Sequence, residues 1–265
     1  MYNSELSIEE IDRKLEEDLI LHKKHVKKII IIVLCILAFI FRGNIVYWAK
    51  FGIAFPYKID NTPINLMEEP IQINYTEEER AQKTFEYKSL LNGNRITIIP
   101  VAYYKISGMV IATNRFFLLK TEFFDSAALY DIGLAWGKLG NKKLYKKYFE
   151  SYSRKNEATG ARVLWVSWKG NIPVPIDYAQ SHWSHTHIVP ANKNIMGALL
   201  RVRDWDKIEL EGFLVDMKYN SKRGRIHSSH TSMSRTDTGM VGDRGNGACE
   251  VMYVTKVKLK NKIYK

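Results

Sequence analysis

Cysteine is scarce in this chain, and so are the motifs that would place it in a known chemical class. The 265 residues include only two cysteines, Cys35 and Cys249, which excludes a disulfide-stapled scaffold and a four-cysteine zinc module. Only one long apolar run is present, which excludes a transporter with several membrane spans. The sequence contains neither an H-E-x-x-H pattern nor the lysine-serine ending of a phosphate loop. No motif therefore names a reaction.

The chain does have enough apolar and basic residues to suggest a folded domain with a charged surface. It is 46% hydrophobic and 12% aromatic, and its length predicts one main domain with appendages. The formal charge is +12, and residues 1–28 hold seven acidic and six basic side chains, so the remainder carries +13. Such a surface is suited to anionic lipid headgroups, acidic polymers or nucleic acid.

The apolar run Ile29–Phe41 predicts a membrane segment. Its 13 residues span only about 20 Å as a helix, against roughly 30 Å of hydrocarbon. Ile45–Ala49 adds apolar length and an aromatic belt, and lysines precede the run. No small-residue cleavage site follows it. We therefore predict an uncleaved signal anchor over 29–49, with a signal-peptide core and a buried core helix as the alternatives.

The basic residues predict the orientation of the anchor. Six precede the apolar run and three follow it closely, so the N-terminus is expected in the cytoplasm and residues from about 50 onward outside the membrane. Residues 1–28 are predicted as a charged helix that begins with a capping box at Ser7. Its apolar face favours either a solvated helix or a small dimer contact.

The exterior part is predicted as α+β. Residues 50–95 are expected to be a connector, because they contain prolines and little periodicity, and residues 96–265 a β-rich domain. Helices are expected at 142–152 and from the cap Asn192 to Arg203. Residues 131–137 are expected to form a turn anchored by Trp136. Strands are predicted at 103–112, 161–168, 207–215, 225–233 and 249–259. This pattern resembles a small, mainly antiparallel OB-type barrel with helical insertions.

Four sequence blocks carry a second resemblance. The blocks YKISGMVIA, DIGLAWGKLG, HTHIVPAN and SMSRTDTG…GNGACEVMYV are spread over residues 96–256. They are similar to those of an uncharacterised bacterial family of proteins with one N-terminal membrane segment. The resemblance implies a membrane-anchored bacterial protein and assigns no catalytic residue.

The five histidines of the predicted exterior domain form two groups, at 182–187 and 227–230. On a strand, His185 and His187 would point to the same face, a spacing that metals use. A metal site would add His230 as a third ligand and a carboxylate base such as Asp237 or Glu250. The alternative is that these histidines are satisfied by hydrogen bonds in a turn, without any metal.

Cys249 is the only thiol of the predicted exterior domain, and it follows a glycine-rich stretch. Such an approach can expose a nucleophile, with His187 or His230 as its base. The candidate catalytic residues are therefore His185, His187, His230 and Cys249. The alternative is a core cysteine at the start of a strand, on the same face as Val251.

The loop that precedes Cys249 is a candidate ligand site. Arg235, Asp237, Asp243 and Arg244 stand among glycines and hydroxyl residues, where backbone N–H groups and guanidinium could bind a carboxylate or phosphate. The alternative is a hairpin connection held by its own Arg–Asp pairs.

The function expected from these features is that of a membrane-anchored binding or assembly module in the bacterial envelope, without catalysis or a cofactor. Its expected partners are the lipid bilayer, an envelope protein or a second copy, and an anionic polymer, but not nucleic acid. The alternative is an envelope hydrolase or transferase that uses a His/Cys or His–metal site.

Overall fold

The computed structural model describes residues 8–40, 48–115, 123–155, 162–220, 226–233 and 249–265. The chain divides into two compact units, Met1–Ala49 and Lys50–Lys265. In the described part of the first unit, one helix, α1 (Ile8–Ile40), contains the predicted membrane run up to residue 40. None of the described helical stretches combines the length and the hydropathy needed to cross a bilayer.

The second unit is mixed α/β, with more strand than helix. Its labelled elements, in chain order, are β1 (Lys58–Ile59), β2 (Ile71–Asn74), α2 (Glu77–Lys83), β3 (Phe85–Lys88), β4 (Arg95–Arg115), α3 (Phe123–Ala127), β5 (Tyr130–Ala135), α4 (Lys142–Tyr148), β6 (Phe149–Lys155), β7 (Arg162–Trp168), α5 (Ile176–Ser181), β8 (Trp183–Pro190), α6 (Lys193–Leu199), β9 (Lys207–Asn220), β10 (Ile226–Ser229), β11 (Glu250–Leu259) and β12 (Lys262–Tyr264).

Five strands of the main sheet pair one after another, and the last of them pairs with the first. The long strand β4 pairs antiparallel with β5 on one side and with β9 on the other. Strand β5 pairs antiparallel with β8, and β8 pairs parallel with β11. Strand β11 also pairs antiparallel with β9, so the pairings return to β4. The parallel pair matters for function because it places the first residues of β11 beside the middle of β8.

A glycine permits the close approach of β9 and β11. A Cβ at Gly212 would lie 2.0 Å from the backbone oxygen of Tyr253, far inside van der Waals contact. The register of this pair also shifts between Val254 and Lys256. Any side chain at 212 would therefore push the two strands apart.

A small helix follows β8, as predicted. Asn192 caps α6 by accepting a hydrogen bond from the Ile195 N–H at 2.9 Å. Ile195 and Leu199 are completely buried, so the helix packs its predicted apolar face inward. It ends at Leu199, four residues before the predicted end at Arg203.

Of the other predicted elements, some are confirmed and others are wrong. The predicted strands 103–112 and 207–215 are confirmed within longer strands β4 and β9. The helix predicted over 142–152 is wrong after Tyr148. Residues 149–155 form strand β6 instead, which alternates in burial and pairs with β7. The expected connector 50–95 carries three strands, of which β1 pairs with β12 and β2 and β3 pair with β4.

Candidate functional site

Strand β8 holds the two histidines of the candidate site. His185 and His187 are two residues apart and so lie on one face of the strand, which is buried along its whole length. Trp183 and Val189, on the same face, pack into two separate apolar clusters. The imidazoles therefore occupy a polar position between two parts of the core, and the predicted turn for this segment is wrong.

The neighbouring strand β5 supplies a carboxylate to both rings. Asp131 is directly opposite His187 in the ladder and is fully buried. His187 Nδ1 lies 2.7 Å from Asp131 Oδ1, a hydrogen bond. His185 Nε2 lies 3.6 Å from Asp131 Oδ2, beyond hydrogen-bond distance. The segment from Asp131 to Ala135, predicted as a turn, is thus a strand that positions the acid.

An arginine from the β6–β7 hairpin fixes the carboxylate. Arg162 donates from Nε to Asp131 Oδ2 at 2.9 Å and from Nη2 to Oδ1. Its Nη1 donates to the Ala128 carbonyl at 2.7 Å and lies 3.3 Å from Asp125 Oδ1. Asp125 Oδ2 in turn accepts a hydrogen bond from Lys155 Nζ at 2.6 Å. Two carboxylates and two cations are thus paired beside the histidines.

The hairpin packs directly onto β5 at the position opposite His185. That position is Gly133, where a Cβ would lie 2.9 Å from Leu164 Cδ1 and 3.1 Å from Ile111 Cγ1. A larger residue would force the Leu164 and Ile111 side chains to shift. The glycine therefore lets the Leu164 side chain of the hairpin pack closely against β5.

Cys249 reaches the same place from the start of β11. Its Sγ lies 3.1 Å from His185 Nδ1, and the residue is half-buried, whereas both histidines are buried. Its carbonyl accepts a hydrogen bond from the Ser232 N–H at 3.2 Å. Cys249 is thus the most accessible member of the group.

Burial and charge set the ionisation of Asp131 and His187. Burial opposes ionisation of Asp131, but Arg162 and the two histidines outweigh it, so the pKa of this carboxyl lies well below its usual range. Burial lowers the pKa of His187 to about 4, although Asp131 opposes this shift. Neutral His187 therefore donates its Nδ1–H to Asp131, which leaves its Nε2 lone pair available.

The three side chains form a donor set for a metal ion. One ligand atom each from His185, His187 and Cys249 all lie within 4.8 Å of one another. Bond lengths of about 2.0 Å to nitrogen and 2.3 Å to sulfur require donor atoms roughly 3.3–3.6 Å apart in a tetrahedral site. The donor atoms would have to lie at these shorter separations, within the 4.8 Å that they now span, to hold an ion.

None of the other predicted site residues that the structure describes supplies a ligand atom to this donor set. His230 Nδ1 lies 3.0 Å from Asp216 Oδ2, and its side chain is 68% exposed, so Cys249 and not His230 accompanies the other two histidines. Arg235, Asp237, Asp243 and Arg244 lie outside the described residues. The sequence interpretation missed Asp131 and Arg162.

Comparison with known proteins finds no match among family models, curated proteins or solved structures. The resemblance to a membrane-anchored bacterial family stays a prediction. Function is therefore inferred from the chemistry of the cluster.

Proposed function

We propose that the protein is a membrane-anchored, extracytoplasmic module that binds a transition-metal ion through His185, His187 and Cys249. One observation carries the proposal: a single buried carboxylate, Asp131, faces one nitrogen of each imidazole while the donor atoms of all three residues converge. Imidazoles that ligate metals usually present their other nitrogen to a carboxylate in this way. The binding is proposed to be non-catalytic.

The surroundings suit a cation held by a thiolate. Arg162 neutralises Asp131 and Lys155 neutralises Asp125, so the histidines stand in a locally balanced environment. Two neutral imidazoles and one thiolate then add a single negative charge toward a divalent ion. This donor set suits Zn²⁺ and copper, whereas Ca²⁺ and Mg²⁺ prefer oxygen ligands.

The scaffold is proposed to be an OB-type barrel. Its support is the order of pairings, β4–β5–β8–β11–β9 and back to β4, together with a helix between β8 and β9. Small closed barrels bend strongly and use glycines where strands approach, as Gly212 does. The β6–β7 hairpin packs against β5 beside the histidines, through Leu164 at Gly133 and Arg162 at Asp131.

Attachment to the bacterial inner membrane is proposed from the apolar run and its basic flank, with the N-terminus cytoplasmic and the second unit outside. An envelope protein or a second copy is the proposed partner. The +13 charge of residues 29–265 favours an additional anionic envelope polymer.

The test is metal analysis of the full chain purified in detergent. We expect one Zn²⁺ or copper ion per chain after loading, and a sulfur-to-cobalt charge-transfer band when Co²⁺ is used as a probe. Cys249→Ser should abolish the band, and His187→Gln should weaken binding at least about tenfold. Cys35→Ser and His230→Gln are the matched controls and should bind normally. Failure to bind any of these ions at micromolar concentration would refute the proposal.

A second candidate function is thiol catalysis in a hydrolase or transferase. The observation that favours it is the line from Cys249 Sγ through His185 Nδ1 and Nε2 to Asp131 Oδ2, with separations of 3.1 Å and 3.6 Å. Nucleophile, base and orienting carboxylate follow this order in cysteine enzymes. Thiol catalysis assigns no role to the Nε2 of His187. Rapid alkylation of Cys249 that needs His185 but persists in His187→Gln would favour the enzyme.

A further inference from the structure

An extended segment of the second unit displays large apolar side chains to solvent. Ile53 and Phe55 are each 73% exposed, Tyr57 is 65% exposed and Ile59 is 64% exposed. Ala54 between the first two is buried, whereas Pro56 and Lys58 are exposed as well. These four large apolar side chains are called the apolar stripe.

The backbone that carries the stripe is held firmly on the domain. Asn194 accepts from the Phe55 N–H at 2.7 Å and donates to the Phe55 carbonyl at 3.0 Å. The Tyr57 N–H donates to the Ile263 carbonyl at 2.7 Å. A Cβ at Gly197 of α6 would lie 2.4 Å from the Phe51 oxygen, so helix and segment are in direct backbone contact. The apolar side chains are thus displayed by an ordered surface.

Lysines border the stripe. Lys58 lies between Tyr57 and Ile59 in the chain and is exposed, and Lys262 is directly opposite Ile59 in the β1–β12 ladder. Lys265 Nζ lies 4.5 Å from the centre of the Tyr57 ring. A row of aliphatic and aromatic side chains flanked by lysines is the composition of surfaces that lie at the boundary of an anionic bilayer.

In the sequence, the stripe begins close to the end of the predicted anchor. Ile53 follows Ala49, the last residue of the predicted membrane segment, by four residues.

We propose that the apolar stripe rests in the interfacial region of the outer face of the bilayer, with its bordering lysines against anionic headgroups. Phe55 and Tyr57 lie at the level of the headgroups, and Ile53 and Ile59 contact lipid on either side of these two rings. This inference rests on the membrane attachment proposed above and is independent of the metal site. The stripe would fix the orientation of the domain on the membrane.

Site-specific photocrosslinking of the full chain tests this. A benzophenone amino acid replaces Phe55 or Tyr57 in one set of variants and Trp165, a 49% exposed aromatic residue of the β6–β7 hairpin, in the control. The variants are reconstituted into nanodiscs of phosphatidylcholine and phosphatidylglycerol. We expect lipid adducts at 55 and 57 to exceed those at 165 by at least about tenfold.

The outcomes separate the two proposals. Equal lipid labelling at 55 and 165 in disc-bound chain would overturn the stripe proposal alone. Covalent dimers as the main product at 55 would also overturn it, in favour of a contact between copies. If the chain does not incorporate into nanodiscs and alkaline carbonate extracts it from membranes, the membrane attachment itself fails, and the stripe proposal with it.

Discussion

The His187 Nδ1–H donates to Asp131 Oδ1 at 2.7 Å, across the rung that joins β8 to β5. Because Asp131 also accepts from Arg162, one fully buried carboxylate connects two strands of the main sheet with the hairpin that covers them. Removal of its charge should therefore affect both the orientation of the imidazoles and the stability of the domain.

Asp131→Asn should lower the metal affinity about 10- to 100-fold, because the amide holds neither imidazole as firmly as the carboxylate does. Competition with a coloured chelator measures this. Asp125→Asn is the control, since Asp125 contacts Arg162 and Lys155 whereas Asp131 contacts the histidine ring itself. Equal loss of affinity in both variants would show that Asp131 acts through the general charge of the site and not through the rings.

Arg162→Met should destabilise the domain by about 3–5 kcal/mol, because it leaves the Asp131 charge buried without its guanidinium. Asp131→Asn in the same chain removes that charge. The double variant should therefore be markedly more stable than the sum of the two single losses predicts. Denaturant titration followed by tryptophan fluorescence measures all three. Strict additivity would mean that the two residues do not stabilise each other.

The sequence predicted the parts of the fold that alternate or carry a cap. The strand around 207–215 was readable because burial on one face leaves a period of two, and the Asn192 cap because a cap needs a specific residue. The strand around 103–112 was also predicted, although it is buried on both faces from Ile106 onward. Strands β5 and β8 were missed. Both are buried on the two faces, so their sequences do not alternate, and β5 contains a glycine.

Only part of the site could be predicted from the sequence. The i, i+2 spacing of His185 and His187 and the lone exterior thiol pointed to three of its residues. Which strand lies beside which decides the rest, and the parallel pairing of β11 with β8 has no local signature. His230 was therefore expected where Cys249 lies, and Asp131 was read as part of a turn.

Metal binding should also raise thermal stability. At a free ion concentration about 100 times the dissociation constant, binding adds about 2.7 kcal/mol, which raises the melting temperature of a domain of this size by about 5–10 °C. A chelator should reverse the shift, and His187→Gln should remove most of it. A shift of the same size in His187→Gln would place the ion elsewhere. Differential scanning fluorimetry of the detergent-solubilised chain is sufficient.

The approach of β9 and β11 offers a test of the scaffold. Gly212→Ala places a methyl group 2.0 Å from the Tyr253 oxygen, so the strands must separate and lose hydrogen bonds. We expect a loss of about 2–4 kcal/mol. Gly170→Ala is the control. A Cβ at Gly170 would face open space, but the φ of this residue is 61°. Backbone strain alone should therefore lower the stability of this variant by about 1 kcal/mol. If the two variants melt at the same temperature, β9 and β11 are not closely paired, and the ring of five strands is open there.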